Sequence, residues 1–348
     1  MQFADIIGNG ELKQRLAQMV DDDRLSHAIL LTESGDWGGV AIATALAQYV
    51  NCEHPHDGDS CGECNSCHKY SKLIHPDLHY VFPVSSSKDL SEAEKKAPIS
   101  DYFVKDFREL LLYDKYFGEQ TLYEAIGLEG KSGIIGVNEA RRIFEKLSLK
   151  SFEGKYKTMV IYLPEKMNQE AANKLLKLLE EPPAGTLFIL VSHAPEKILS
   201  TIRSRCQMIQ LMPLSREERK AAGKGTQSNP EFQELLTGII KAGLGKALAD
   251  TIPIWEALAE MGREKQKDFC IYSENYIRKL YMAASAMDSI AEYDTSEEAA
   301  IRELAPKIKP AFYERAFNAF ETVIASVESN VNAKLTFCNL CNILYTSL

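Results

Sequence analysis

The chain has 348 residues, enough for two or three domains of roughly 100–200 residues each. Hydrophobic residues make up 45 % and charged residues 26 %, a globular mix, and no apolar run approaches the roughly 20 residues that span a bilayer, so no membrane partner is expected. A net charge of −9 at pH 7 excludes a surface that wraps nucleic acid on every side, while leaving room for a local basic patch or for a complex whose other members carry the positive charge. The opening MQFADIIGNGELKQRL lacks the basic-then-apolar layout of a signal peptide, which predicts a cytoplasmic chain.

In chain order, HAILLT (27–32) is a short apolar strand and VAIATALAQYV (40–50) a small-residue helix. The span that joins them has the layout of a phosphate-binding loop. A working loop of this type is G-x-x-x-x-G-K-[ST], in which backbone N–H groups cradle the phosphates, the Lys reaches the β/γ-phosphates and the hydroxyl holds Mg²⁺. Here Glu33 replaces the first Gly, Gly38 keeps the second, Gly39 replaces Lys and Val40 replaces the hydroxyl residue. The neutralising charge and the magnesium ligand are gone, and a carboxylate stands where an anion would approach. Two readings remain: a nucleotide-binding fold that has lost hydrolysis, or a loop that never bound nucleotide.

Directly after this helix comes NCEHPHDGDSCGECNSCHKY, in which Cys52, Cys61, Cys64 and Cys67 are spaced C-x8-C-x2-C-x2-C. In a chain without an export signal such a cluster predicts metal ligands rather than disulfides. Four thiolates close a tetrahedral, structural zinc site. Four reduced thiols are the alternative, and His54, His56 and His68 are further candidate ligands. The segment 84–131 begins as a polar loop and continues with helical periodicity and many aromatics, which predicts an insertion on the α/β domain.

KTMVIYL (157–163) is β-rich, and it ends with Tyr162 and Leu163 where an ATPase of this type carries acidic Mg²⁺ ligands; Glu165 is the nearest carboxylate. NQEAANKLLKLLEE (168–181) is a helix with Ala171, Ala172, Leu175, Leu178 and Leu179 on one stripe, stopped by Pro182 and Pro183. GTLFILVS (185–192) is a strand, EKILSTIRSRC (196–206) helical, and QMIQLMPL (207–214) a last strand. Arg203 and Arg205, at that helix end, offer a fork for a carboxylate, a finger for a phosphate in another subunit, or a structural ion pair. Buried strands alternating with helices predict a parallel sheet covered on both faces. After the polar stretch 215–230 the β signal fades and the rest reads as helices.

The motifs FADIIGNGELKQRL, CGECNSC, HPDLHYV, MNQEAANKLLKLLEEPP and STIRSRC occur in this order. Together they resemble the AAA+ clamp-loader family, and within it the delta-prime branch of the bacterial DNA polymerase III loader, over about residues 3–214. The resemblance implies a RecA-like α/β domain at 1–213 with a zinc module at 52–67 and the insertion at about 84–131, a small helical lid at 214–249, and an all-α collar at 250–348. It implies a subunit that hydrolyses no ATP. Within Ser204-Arg205-Cys206, Arg205 would be an arginine finger for the ATP site of a neighbouring motor subunit, and Arg203 a structural neighbour. Implied partners are gamma/tau motor subunits, the delta subunit, the sliding clamp directly or indirectly, and primer-template DNA through the complex. Lys246 and the Ser192-His193 pair occupy positions where relatives place nucleotide sensors and are read as vestigial. Arg141 and Arg142 lie on a helix that in clamp loaders can face DNA, against a solvated helix face as the plainer reading. The competing functions are an active gamma/tau-like ATPase and a zinc-stabilised nucleic-acid-binding module.

Overall fold

The computed structural model describes the chain apart from residues 88–89, 129–131, 149–150, 225–228, 288–292, 294 and 330. It divides into two compact units, Met1–Gly225 and Thr226–Leu348.

The first unit is built on parallel strands β1 (Ala28–Thr32), β2 (Leu78–Val81), β3 (Lys157–Tyr162), β4 (Thr186–Ser192) and β5 (Gln207–Gln210). They form one sheet in the order β2-β3-β4-β1-β5. β1, β3 and β4 are buried at every position, which is why they read as unbroken apolar runs. Alternate residues of β1 feed the two faces. Ile29 and Leu31 join a core with Leu46, Tyr80 and Val160, while Ala28 and Leu30 join another with Ile143, Leu147, Leu175 and Leu179. The helix Gly39–Val50 contributes to the first core, and the helices Val137–Ser148 and Gln169–Glu180 to the second. The stripe expected on 168–181 is buried at all five positions, and Asn168 caps that helix by accepting from Ala171 N. β2 is the strand that the sequence pattern did not single out. It is four residues long, lies at the sheet edge, and carries a half-buried His79 between buried neighbours.

The described part of the segment 84–131 packs onto this unit. Its helices are Glu92–Lys96, Val104–Tyr113 and Glu119–Ala125. Phe107 stacks on Phe82 with centroids 4.4 Å apart, and Phe117 meets Phe107 edge-on at 5.7 Å. Ser100 donates both its N–H and its hydroxyl to the buried Glu139 carboxylate at 2.7 Å, tying the segment to the Val137–Ser148 helix.

The second unit is helical among its described residues: Pro230–Gly245, Ile252–Glu260, Arg263–Ala284, Thr295–Leu304, Pro310–Glu328 and Ala333–Ser347. Leu236, Phe269, Ile277, Phe312, Phe320 and Phe337 are buried at its centre. The division falls within the polar stretch, so the helix Arg216–Ala221 belongs to the first unit and Pro230–Gly245 to the second. Among the described residues, no helix is long and apolar enough to cross a membrane.

Candidate functional site

The loops after β1, β3 and β4 converge at the carboxyl end of the sheet, where open α/β sheets place their ligands. After β1 the chain turns through Glu33–Gly38, and Gly38, at φ +89°, caps the helix that starts at Gly39. Glu33 is 4 % exposed, and its side chain folds back into this turn. Oε2 accepts from Trp37 N at 2.9 Å and from Gly39 N at 3.2 Å. The amides that a strand–loop–helix turn would offer an anion are thus held by the loop's own carboxylate. Oε1 of the same group lies 3.2 Å from His193 Nε2. Gly39 admits no side chain, because a Cβ there would lie 2.7 Å from Glu33 Oε1 and 2.6 Å from Val191 Cγ1.

The ends of β3 and β4 complete the cluster. Tyr162 is fully buried, with its ring edge-on to His193 and to Phe117, each at 5.5 Å. Leu163 is buried and left-handed at φ +54°, so it begins the turn Pro164–Lys166 instead of projecting a polar group. Glu165, the remaining acid, points to β4. It accepts from Ser192 Oγ at 2.8 Å, His193 N at 2.9 Å and Ala194 N at 3.1 Å. Burial disfavours a charge on His193, but Glu33, with Asp36 and Glu165 nearby, outweighs it and holds the imidazole above the ordinary histidine range. Burial also raises the Asp36 carboxyl above its usual range. The sequence pattern flagged Glu33, Gly38, Gly39, Tyr162, Leu163 and the Ser192-His193 pair separately, and the fold brings them to one place. Asp36 lies in the loop itself but at a position to which the phosphate-loop frame assigns no role, and nothing in the spacing of Tyr116 and Phe117 ties them to a loop so distant in sequence.

The four cysteines form a second centre. The Sγ atoms of Cys52, Cys61, Cys64 and Cys67 all lie within 4.8 Å of one another, and among the described residues no histidine shares the cluster. The Sγ–Sγ separations are 3.5 Å for Cys52–Cys61, 3.9 Å for Cys61–Cys67 and 3.7 Å for Cys67–Cys52. A tetrahedral site with metal–sulfur bonds of about 2.3 Å spaces its sulfurs by about 3.8 Å, so this set fits a metal ion such as zinc. Cys61 N, Cys64 N and Cys67 N donate to Cys52, Cys61 and Cys64 sulfurs respectively, an arrangement that favours thiolates. The Glu63 and Cys64 amides pull the Cys61 thiol down to about 6, whereas burial pushes Cys67 up. Cys52 follows the C-terminus of the Gly39–Val50 helix, and Cys64 caps the helix Asn65–Ser71.

Arg205 lies elsewhere. Its guanidinium donates to Thr201 O at 2.9 Å and pairs with Glu180; its side chain is 36 % exposed. Ser204 Oγ donates to Thr201 O, and Cys206 is a core residue whose thiol burial pushes up to about 11. Parallel register sets Thr32 beside Gln210 and Ile29 beside Gln207. Arg205 therefore precedes the start of β5, at the opposite end of the sheet from Glu33. Four residues of strand separate those levels by roughly 13 Å. Arg203 Nε is buried with no hydrogen-bond partner among the described residues. Arg142 is committed to Asp101 at 2.8 Å and Glu145 at 3.1 Å, while Arg141 borders a groove with Phe144, Lys174 and Lys177. Lys246 caps the helix Pro230–Gly245 in the second unit.

A parallel α/β unit with a self-filled loop and a Cys₄ cluster defines the class; comparison with known proteins supplies the family. Residues 8–215 match the family model described as "DNA polymerase III, delta subunit", and the chain belongs to that family. Among curated proteins, the chain is 27 % identical over 258 residues to "DNA polymerase III subunit delta'" of Haemophilus influenzae, covering 74 % of this chain and 64 % of that one. It is 30 % identical over 200 residues to the delta' subunit of Escherichia coli, covering 58 % and 46 % respectively. It is also 27 % identical over 263 residues to the H. influenzae "DNA polymerase III subunit tau/gamma", covering 75 % and 31 %. The chain thus spans about half to under two-thirds of the delta' relatives' own length. The delta-prime clamp-loader resemblance read from the motifs agrees with these matches. A solved gamma-subunit-related protein from Thermotoga maritima aligns over 96 % of this chain and 99 % of its own, with a TM-score of 0.40 at 13 % identity, too slight a likeness to bear on the fold.

Proposed function

We propose that this chain is a non-hydrolysing, AAA+-type subunit of the replicative clamp loader. It helps a motor assembly load the sliding clamp onto primed DNA. The observation that carries this reading is the Glu33 carboxylate seated on the amides of Trp37 and Gly39, where a triphosphate would need an empty cradle and a lysine. Tyr162 and Leu163 remove the second requirement, a carboxylate pair for Mg²⁺ at the end of β3.

In this reading Arg205 acts in trans. Its place at the far end of the sheet from its own loop supports presentation to the ATP site of an adjoining gamma/tau-type motor subunit. There a guanidinium would stabilise charge developing on the transferring phosphoryl group, an effect worth about 10³–10⁵ in rate. Glu180 would hold the side chain in place until a neighbour's phosphate displaces it. The helix Pro230–Gly245 and its surroundings would serve as the lid, and the following helices as a collar that joins gamma/tau and delta subunits. Zinc in the Cys₄ cluster would be structural, since four thiolates leave no position open for substrate. The test is direct: the purified chain should neither bind nor turn over ATP, yet should assemble with the motor subunits. Turnover by the isolated chain would revive the active-ATPase reading.

A further inference from the structure

We propose that the segment around Asp114–Glu119 and the Glu33 carboxylate together act as a built-in occupant of the vestigial ligand cleft, so that the site is closed from within rather than merely empty. Glu33 supplies the anion. Tyr116 supplies the body: it is 4 % exposed and its ring stands over the loop, where a Cβ on Gly38 would meet it at 3.0 Å. Its hydroxyl accepts from Ile7 N at 2.6 Å and donates to Ile7 O at 3.1 Å, satisfying both backbone groups of one residue as a bound heterocycle's edge would.

The neighbours fasten this segment on every side. Lys115 Nζ donates to Asp5 O at 2.9 Å, and Asp114 pairs with Lys224 at 2.6 Å while accepting from Tyr116 N at 2.8 Å. Phe117 packs on Tyr162, and Glu119 pairs with Lys166 at 2.6 Å. Gly118 lies so close to Asp36 that a Cβ would fall 2.6 Å from its carboxylate. One short segment thus bridges the N-terminal turn, the loop, the end of β3 and the end of the first unit. This gives the insertion a role: it holds rigid the loop and the end of β3, without exchange of any ligand. The cradle beneath remains an oxyanion site in chemistry, masked by its own side chain.

This inference rests on the non-hydrolysing reading only in that a filled cradle cannot hold nucleotide. It is tested on the full chain with inorganic pyrophosphate as probe, by calorimetry and thermal melting at constant ionic strength. Wild type should bind pyrophosphate no more tightly than the weakest affinity that calorimetry resolves, and the variant's gain is read against that bound. Glu33→Ala should melt at a lower temperature, gain roughly tenfold or more in pyrophosphate affinity, and recover stability when the probe is added. Folded Glu33→Ala that ignores pyrophosphate, or wild type that binds it equally, would overturn the proposal even if no ATP is ever hydrolysed. Should Glu33→Ala not fold, Tyr116→Phe keeps the ring and removes only the two Ile7 bonds. Hydrogen exchange should then quicken together at Ile7 and at 33–39. Faster exchange at Ile7 alone would show that the segment does not hold the loop.

Discussion

Gly39→Ala is a small change with a sign opposite to its intrinsic preference. Gly39 opens a helix, and replacing such a glycine by alanine ordinarily stabilises by about 0.4–1 kcal/mol by restricting the unfolded chain. Here the added methyl would lie 2.6 Å from Val191 Cγ1 and 2.7 Å from Glu33 Oε1, about 1 Å inside ordinary contact. Neither neighbour can retreat easily. Val191 is fully buried in the central sheet, and the Glu33 carboxylate is held by two amides and His193. Overpacking costs about 1–3 kcal/mol, and with both neighbours pinned the upper part of that range applies, about 2–3 kcal/mol, which leaves a net loss of about 1–2.6 kcal/mol. For a unit of this size that lowers the melting temperature by roughly 2–10 °C. Trp37 sits on the loop, so its fluorescence in a Trp255→Phe background reports the first unit alone. The loss should shrink in a Glu33→Ala background, because part of the clash is then absent. An unchanged or raised melting temperature for Gly39→Ala would show that the cradle is not filled as described.

Carefully purified chain should carry about one equivalent of zinc by elemental analysis, and Cys67→Ser should lose it together with cooperative unfolding of the first unit; less than about half an equivalent in wild type counts against the site. The His193–Glu33 pair carries a pH signature. Because the folded histidine is raised above 6.5, its contribution is complete below that value and is lost as pH rises through the folded value, with Glu33, Asp36 and Glu165 as the facing carboxylates. Urea midpoints should therefore fall over that window in wild type and not in His193→Gln; equal slopes in both would refute the pairing. Asp77 accepts from the amides of Phe152, Glu153 and Gly154 at 2.7, 2.8 and 2.7 Å, and Asp77→Ala should cost about 3 kcal/mol, read as a lower urea midpoint at unchanged slope.

The parts of this molecule that were legible in the sequence are those governed by local pattern. β1, β3 and β4 announce themselves as buried runs, and the Gln169–Glu180 helix by its stripe and the prolines that follow. The Cys₄ cluster was legible because metal ligands keep short spacings. The loop was legible as a broken frame, and Glu33 as a misplaced carboxylate. What Glu33 does there was not, since its partners are backbone amides and a histidine 160 residues away. β2 did not stand out because its four residues carry a half-buried His79 among apolar neighbours, which breaks the run without giving a regular alternation. Tyr116 and Phe117 sit in a segment whose aromatics are evident but whose targets, Ile7 and Tyr162, are set by the tertiary fold alone. Arg142, marked with Arg141 as a DNA-facing candidate, pairs with Asp101 of the inserted segment, a partner that no local pattern announces.

The most direct test of the central claim is ATP hydrolysis, stimulated by DNA and clamp, in a loader reconstituted with this chain and compared with its Arg205→Ala variant. A fall of about 10³-fold or more at the adjoining motor site, with assembly intact, is the expected result. Unchanged hydrolysis would place Arg205 in its ion pair with Glu180 alone and contradict a role in trans.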